Sequence, residues 1–212
     1  MNKQLKNVVL EKLEELYFGA KPALNYSSEY ELLVAVILSA QCTDERVNIV
    51  TGELFKNYNT PEKMLTLTKE ELALIIKPCG LNNSKATHIL EASKSIVENH
   101  GSKVPSTHEE LTKLSGVGRK TANVVYSVAF GGDAIAVDTH VFRVSNRIGI
   151  AKGKNPLETE KSLMKSIPKN KWSSAHHWLI YHGRKVCTAR NPKCKDCALL
   201  GVCDYAKKKG VL

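Results

Sequence analysis

Residues 30–41, Tyr-Glu-Leu-Leu-Val-Ala-Val-Ile-Leu-Ser-Ala-Gln, carry apolar side chains on every side and must therefore lie inside a core. Periodicity alone does not separate a buried helix from a buried strand. The length of the stretch, its Leu and Ala content and the lack of alternation predict a helix at the centre of the fold. Apolar residues recur at helical spacing elsewhere: at Val8, Val9, Leu13 and Leu16, at Leu54, Phe55 and Tyr58, and at Ile89, Ala92, Ile96 and Val97. Gly19, Pro61, Pro78-Cys79-Gly80, Gly101 and Pro105 separate these segments as helix stops. No Asn-Gly or Asp-Gly pair joins two alternating runs, and there is neither a repeat nor a low-complexity stretch. The expected fold class is all-α.

The 212 residues suffice for one large domain or two small ones sharing a core. With 42% hydrophobic residues the chain is not a disordered polycation, yet its formal charge is +10. A folded basic protein attracts polyanions, nucleic acid first and an acidic membrane surface second. The longest apolar run, Leu32–Leu38, is seven residues against the roughly 20 that span a bilayer. The start, Met-Asn-Lys-Gln-Leu-Lys, lacks the apolar stretch of a signal peptide, so a soluble intracellular protein is expected. The charge is unevenly placed. Residues 1–100 hold 11 basic and 13 acidic side chains, residues 101–142 hold 4 of each, and residues 143–212 hold 16 against 4. That last third also contains Trp172, Trp178, Tyr181 and four cysteines, which argues for a folded basic face rather than a solvated tail.

Residues 107–113 predict a short helix, with Thr107 as N-cap and Glu110 three positions on. Then follows Leu114-Ser115-Gly116-Val117-Gly118-Arg119-Lys120-Thr121-Ala122 and the apolar-striped segment Asn123–Phe130. So tight a turn needs glycine, and the glycines also let a phosphate approach the free N–H groups of the second helix. The alternative is an ordinary helix–turn–helix corner. Leu114 before the first Gly, and Lys-Thr-Ala after the second, favour a helix–hairpin–helix that grips the DNA backbone without reading sequence.

Cys42 and Cys79 stand alone and are expected in the core. Cys187, Cys194, Cys197 and Cys203 lie within 17 residues as C-x6-C-x2-C-x5-C. Four thiolates suit a zinc ion or a [4Fe-4S] cluster. Structural zinc commonly uses two short knuckles and only one is present, which favours iron–sulfur. Either would replace a core that so short a segment cannot build, and would pin loops bearing Arg184, Lys185, Arg190, Lys193 and Lys195.

Lys120 sits at a helix start beside Arg119. A neighbouring cation and the positive helix end push a lysine towards the neutral amine, the nucleophile of Schiff-base chemistry. Phosphate binding is the plainer role. Asp138, in Ala136-Val137-Asp138-Thr139-His140-Val141, could cap the following helix or exchange a proton at a reaction site. An Asp close to Lys120 would raise the lysine pKa, opposing the other two effects.

The segments Leu114–Asn123 and Ile135–Arg143, with the four-cysteine spacing, resemble the endonuclease III family of DNA glycosylases; Ser39-Ala40-Gln41 and Gly80-Leu81 match as well. The resemblance implies two all-α domains with a DNA groove between them: a six-helix barrel over residues 22–132, including the hairpin at about 107–130, and an iron–sulfur domain of residues 1–21 and 133–212. It implies a monomer acting in the bacterial cytoplasm, at the nucleoid, on double-stranded DNA carrying damaged pyrimidines or abasic sites. The damaged base is flipped into a pocket. Lys120 attacks the sugar C1′ and expels the base, Asp138 activates Lys120, and β-elimination breaks the strand 3′ to the lesion. Cys187, Cys194, Cys197 and Cys203 would hold a [4Fe-4S] cluster. Gln41 and Leu81 would fill the gap left by the flipped nucleotide, and Gly116, Val117, Gly118, Arg119, His140, Arg143, Arg184, Arg190 and Lys193 would contact DNA. Asn82 stands where relatives often carry Tyr, and Asn191 occupies a position that is basic in some.

Two other readings compete. A monofunctional adenine glycosylase of the same superfamily shares the hairpin and the cysteines, but carries a non-lysine residue at the position of Lys120 and an additional C-terminal domain. A non-catalytic DNA-binding module would leave the pairing of Lys120 with Asp138 without a purpose.

Overall fold

The computed structural model describes residues 1–211, and all regular structure among them is helical. The chain divides into two compact units, Pro22–Gly132 and Met1–Lys21 together with the chain from Asp133 onward. No helix among the described residues is long and apolar enough to cross a membrane.

The unit 22–132 is built around α2 (Glu29–Leu38), in which every residue from Tyr30 to Leu38 is buried. Ser28 caps it by accepting the Glu31 N–H. Around α2 stand α3 (Asp44–Leu54), α4 (Pro61–Met64), α5 (Lys69–Ile75), α6 (Asn82–His100), α7 (His108–Leu111) and α8 (Arg119–Ala129). The core is continuous from Leu32 and Ile37 through Val47, Met64, Leu72, Ile89 and Ile96 to Leu111 and Val125. Inside it, Tyr30 Oη pairs with Ser93 Oγ at 2.6 Å. The helix expected over residues 30–41 ends at Leu38, because Ser39 Oγ turns back onto the Val36 carbonyl and Gln41 adopts a left-handed backbone.

The second unit contains α1 (Lys3–Leu16), α9 (Thr139–Ile148), α10 (Pro156–Ser166), α11 (Trp172–Lys185) and α12 (Asp204–Lys208). Helices α9 and α11 pack against each other, and α1 lies on α11. Gly183 is where α11 meets α9: a Cβ there would come within 3.0 Å of both His140 Nδ1 and Val144 Cγ2. Residues 134–137 enter α9 as a buried, non-helical segment, with the Ala136 carbonyl paired to His176 Nδ1 at 2.9 Å. The core joins Val9 and Leu13 to Val141, Val144, Leu163, Trp178 and Leu179.

Candidate functional site

In the unit 22–132, α7 is capped by Thr107, which accepts the Glu110 N–H at 3.3 Å. Leu111, Leu114 and Val117 are buried and anchor the turn from below. Gly116 has φ +74°, and an added Cβ would lie 2.7 Å from the Cβ of His88 on α6, so glycine is required twice over. Ser115 Oγ donates to Glu91 on the same helix at 2.6 Å. Gly118 differs: its φ is −80°, its side is open, and it begins α8 with no side-chain cap. The exposed residues Gly118, Arg119 and Lys120 thus stand at a helix start whose N–H groups face outward, an arrangement suited to an anion. The helix expected to start at Lys120 begins at Arg119.

Gln41 is exposed, and Leu81 is 56% exposed. Both have left-handed backbone, φ +55° and +50°. Asn82 points inward and donates to the Ala73 carbonyl at 3.0 Å, tying the start of α6 to α5. Cys79 is buried in the core as expected, and the half-buried Cys42 packs against that core. Burial, with Cys42 beside it, pushes the Cys79 thiol up to about 11.

In the second unit Asp138 is the N-cap of α9, its Oδ1 accepting the Val141 N–H at 2.7 Å. His140 is half-buried, and burial lowers its pKa. Arg143 Nη2 meets His140 Nδ1 at 3.1 Å. Its other donors reach carbonyls: Cys187 at 3.1 Å, Gly183 at 3.0 Å and Thr139 at 3.4 Å. Arg184, Arg190 and Lys193 are exposed, as are Lys185 and Lys195. Lys120 and Asp138 belong to different units.

Cys187, Cys194, Cys197 and Cys203 are each half-buried and line one cavity, walled by Ile148, Val186, Leu199 and Ala206 among others. Among the described residues no group of three or more His, Cys, Asp or Glu is arranged to hold a metal ion. The four cysteine side chains line that cavity. N–H groups face them: Leu199 N lies 3.4 Å from Cys197 Sγ, and Arg147 Nη1 lies 3.7 Å from Cys187 Sγ. Burial pushes the Cys197 thiol up, so a thiolate there needs positive charge beside it.

Two residues that sequence reasoning missed hold these parts. Arg147 donates to the Thr188 and Ala189 carbonyls at 2.7 and 2.8 Å and lies 4.8 Å from the Tyr205 ring centroid, fastening the loop after Cys187. Its only signal is the four-residue spacing from Arg143 on one face of α9. Lys85 is 3% exposed on the apolar face of α6, in line with Ile89, Ala92 and Ile96. A lysine within such a stripe is the available signal.

Residues 34–169 match the family model of the HhH-GPD superfamily base excision DNA repair proteins. Endonuclease III of Bacillus subtilis is 51% identical over 94% of this chain and 92% of its own. A solved non-covalent endonuclease III–DNA complex, 45% identical, superposes with TM-score 0.95 over 100% of both chains. A trapped endonuclease III–DNA covalent intermediate, also 45% identical, gives 0.94 over 99% of each. With this likeness along its whole length, the chain belongs to the endonuclease III family within the HhH-GPD superfamily of base excision DNA repair proteins.

Proposed function

We propose that the protein, a bifunctional DNA glycosylase and abasic-site lyase, removes oxidised or ring-saturated pyrimidines from double-stranded DNA as a monomer, with Lys120 as nucleophile. The observation that carries this is the exposed Lys120 in the first turn of a helix that opens, uncapped, straight from a glycine hairpin. The covalent DNA complex trapped for a 45% identical relative supports the same chemistry.

The hairpin N–H groups, with Arg119, hold a phosphate near the lesion, and the nucleotide is flipped out of the stack. Gln41 and Leu81 occupy the space it leaves. The neutral Lys120 amine forms a bond to C1′ as the bond from C1′ to the base breaks, and the base departs with that electron pair and gains a proton. The amine, now bonded to C1′, gives one proton to Asp138, whose carboxylate is oriented by the Val141 N–H. The nitrogen lone pair then breaks the C1′–O4′ bond, O4′ gains a proton, and the iminium keeps its one remaining N–H. Removal of a C2′ proton then expels the 3′ phosphate oxygen, cleaving the strand by β-elimination. Water hydrolyses the remaining iminium and restores the amine.

The unit 22–132 serves as the barrel domain, and residues 1–21 with 133–212 form the cluster domain, whose Arg184, Arg190 and Lys193 contribute backbone affinity and whose His140 and Arg143 shape the DNA-facing end of α9. Four soft thiol donors lining one largely apolar cavity fit a [4Fe-4S] cluster held by Cys187, Cys194, Cys197 and Cys203. Its contribution is structural, a rigid cross-link for a loop-rich segment.

Borohydride reduction of the protein on DNA containing an abasic site is expected to give a covalent adduct, and Lys120→Ala to give none. An adduct that survives the substitution refutes the assignment of Lys120. A colourless protein containing zinc in place of iron refutes the cluster assignment.

A further inference from the structure

Two turns of the unit 22–132 share one buried cation. The first leaves α2 at Leu38 and reaches Gln41; the second follows the short 3-10 turn Lys77–Cys79 and reaches Leu81, the residue that starts α6. Only three non-glycine residues among those described have positive φ, and Gln41 and Leu81 are two of them. Side-chain-bearing residues persist in that conformation when the surroundings over-determine it, and such residues cluster at functional sites.

Lys85 is what the turns have in common. Its Nζ donates to the Leu38 carbonyl at 2.8 Å and to the Cys79 carbonyl at 2.8 Å, from positions 47 and 6 residues away in the chain. Burial pushes its pKa down, while the Cys79 and Cys42 thiols beside it act the other way. Protonated or neutral, the amine has at least two N–H donors, enough for both carbonyls. A burial this thorough is unfavourable unless the amine is paired, and a serine or a single backbone N–H would satisfy one carbonyl only. The lysine stem reaches both.

We propose that Lys85 is a positioning residue for lesion recognition: by holding the Leu38 and Cys79 carbonyls on one amine, it fixes Gln41 and Leu81 relative to each other so that both enter the gap left by the flipped nucleotide. The inference rests on the gap-filling role given to those two residues above. Without the bridge, each turn keeps its own fold but the pair loses its common register. The loss is felt only where an opposite strand and a base stack must be stabilised.

The test compares the full-length protein with Lys85→Met on two substrates: a duplex with one abasic site, and the same abasic strand alone, which has no gap to fill. On the duplex, KM is expected to rise about tenfold with kcat changed less than about threefold, while cleavage of the single strand stays near the wild-type rate. Leu81→Ala is expected to reproduce this split, and the double variant to be no worse than the weaker single one. Parallel loss on both substrates, or losses that multiply in the double variant, would overturn the proposal. So would Leu81→Ala and Gln41→Ala variants that match wild type on the duplex. Should Lys85→Met fail to fold, as seen by circular dichroism, Lys85→Gln carries the same comparison, its amide nitrogen one bond nearer the backbone than Nζ and so short of bridging both carbonyls. Failure of the lyase reading itself is distinct: the wild-type protein would cleave neither substrate.

Discussion

The two glycines of the hairpin make opposite demands, and replacing each by alanine separates folding from binding. At Gly116 the backbone is left-handed, φ +74°, which disfavours a side-chain-bearing residue by about 1–2 kcal/mol. The new Cβ also lands 2.7 Å from His88 Cβ and 3.0 Å from His88 Cγ. The nearest of these atoms is fixed to the backbone of α6 and does not swing aside, so relief must come from moving the turn or the helix. Overpacking of that kind is unfavourable by a further 1–3 kcal/mol or so, and the total destabilisation is expected at about 2–5 kcal/mol. For a chain of this size that lowers the melting temperature by roughly 5–15 °C.

Gly118 has ordinary φ, −80°, and nothing within 4 Å of its absent side chain. Alanine there restricts the unfolded chain slightly and is a slightly poorer N-cap, so stability is expected to stay within about 0.5 kcal/mol of wild type. Its methyl group instead stands where a phosphate would approach the start of α8, and binding to abasic-site DNA should weaken about tenfold or more. Far-ultraviolet circular dichroism is the right probe for the melts, because Trp172 and Trp178 both lie in the other unit and their fluorescence reports that one. Fluorescence anisotropy with labelled duplex supplies the affinities. Gly116→Ala melting with wild type, or Gly118→Ala losing as much stability as Gly116→Ala, would refute the reasoning from geometry.

Other perturbations have signs fixed by the structure. Burial, with His176 beside it, lowers the pKa of His177 to about 3, so the folded state refuses a proton that the unfolded state accepts below about pH 6.5. Its contribution to stability is complete above that pH and fades as pH falls towards 3; His177→Gln should remove about 2 kcal/mol from the stability that urea melts lose between pH 7 and 5, an unchanged loss counting against the assignment. Arg147→Met leaves the Thr188 and Ala189 carbonyls without their charged donor, a loosening of about 1–3 kcal/mol. Hydrogen exchange across residues 188–191 should then quicken about tenfold or more, and exchange at the wild-type rate would show that the loop is held by something else.

What could be read in advance follows from how local the physics is. Thr107 and Glu110, the hairpin glycines and the four cysteines act over a few residues, so their order in the chain already carries their meaning. The Asp138 cap is equally local: an acidic side chain three residues before the N–H it accepts. Helix limits were harder. The start of α8 shows only through the glycine turn before it, because Arg119, Lys120 and Thr121 are polar and add nothing to the apolar stripe of the helix. What meets the end of α2 was not legible either: Lys85 reaches the Leu38 carbonyl from 47 positions away, a contact that no pattern within a helix can express. Arg143 was named in advance only as a DNA contact implied by the family resemblance, not as a group whose donors reach the Gly183 and Cys187 carbonyls. A guanidinium on a surface helix and one that ties two elements together look alike until the fold supplies the acceptors.

The same distinction bears on how the chain holds DNA. If charge alone made the contact, the hairpin region would be expected to carry an excess of cations, yet residues 101–142 balance four basic against four acidic side chains. The excess of 16 over 4 is all in residues 143–212, where Arg143 and Arg147 are committed to carbonyls while Arg184, Arg190 and Lys193 stand exposed. On the proposed reading two physically different grips operate. The hairpin offers backbone N–H dipoles, which are fixed in direction, carry no counterion cloud and fade within a turn of the helix end. The C-terminal cations release bound salt ions when they meet phosphate and account for a long-ranged, salt-sensitive attraction. A lyase that forms its covalent bond from a lysine needs that division, because a hairpin packed with extra cations would draw phosphate onto the very amine that has to meet C1′.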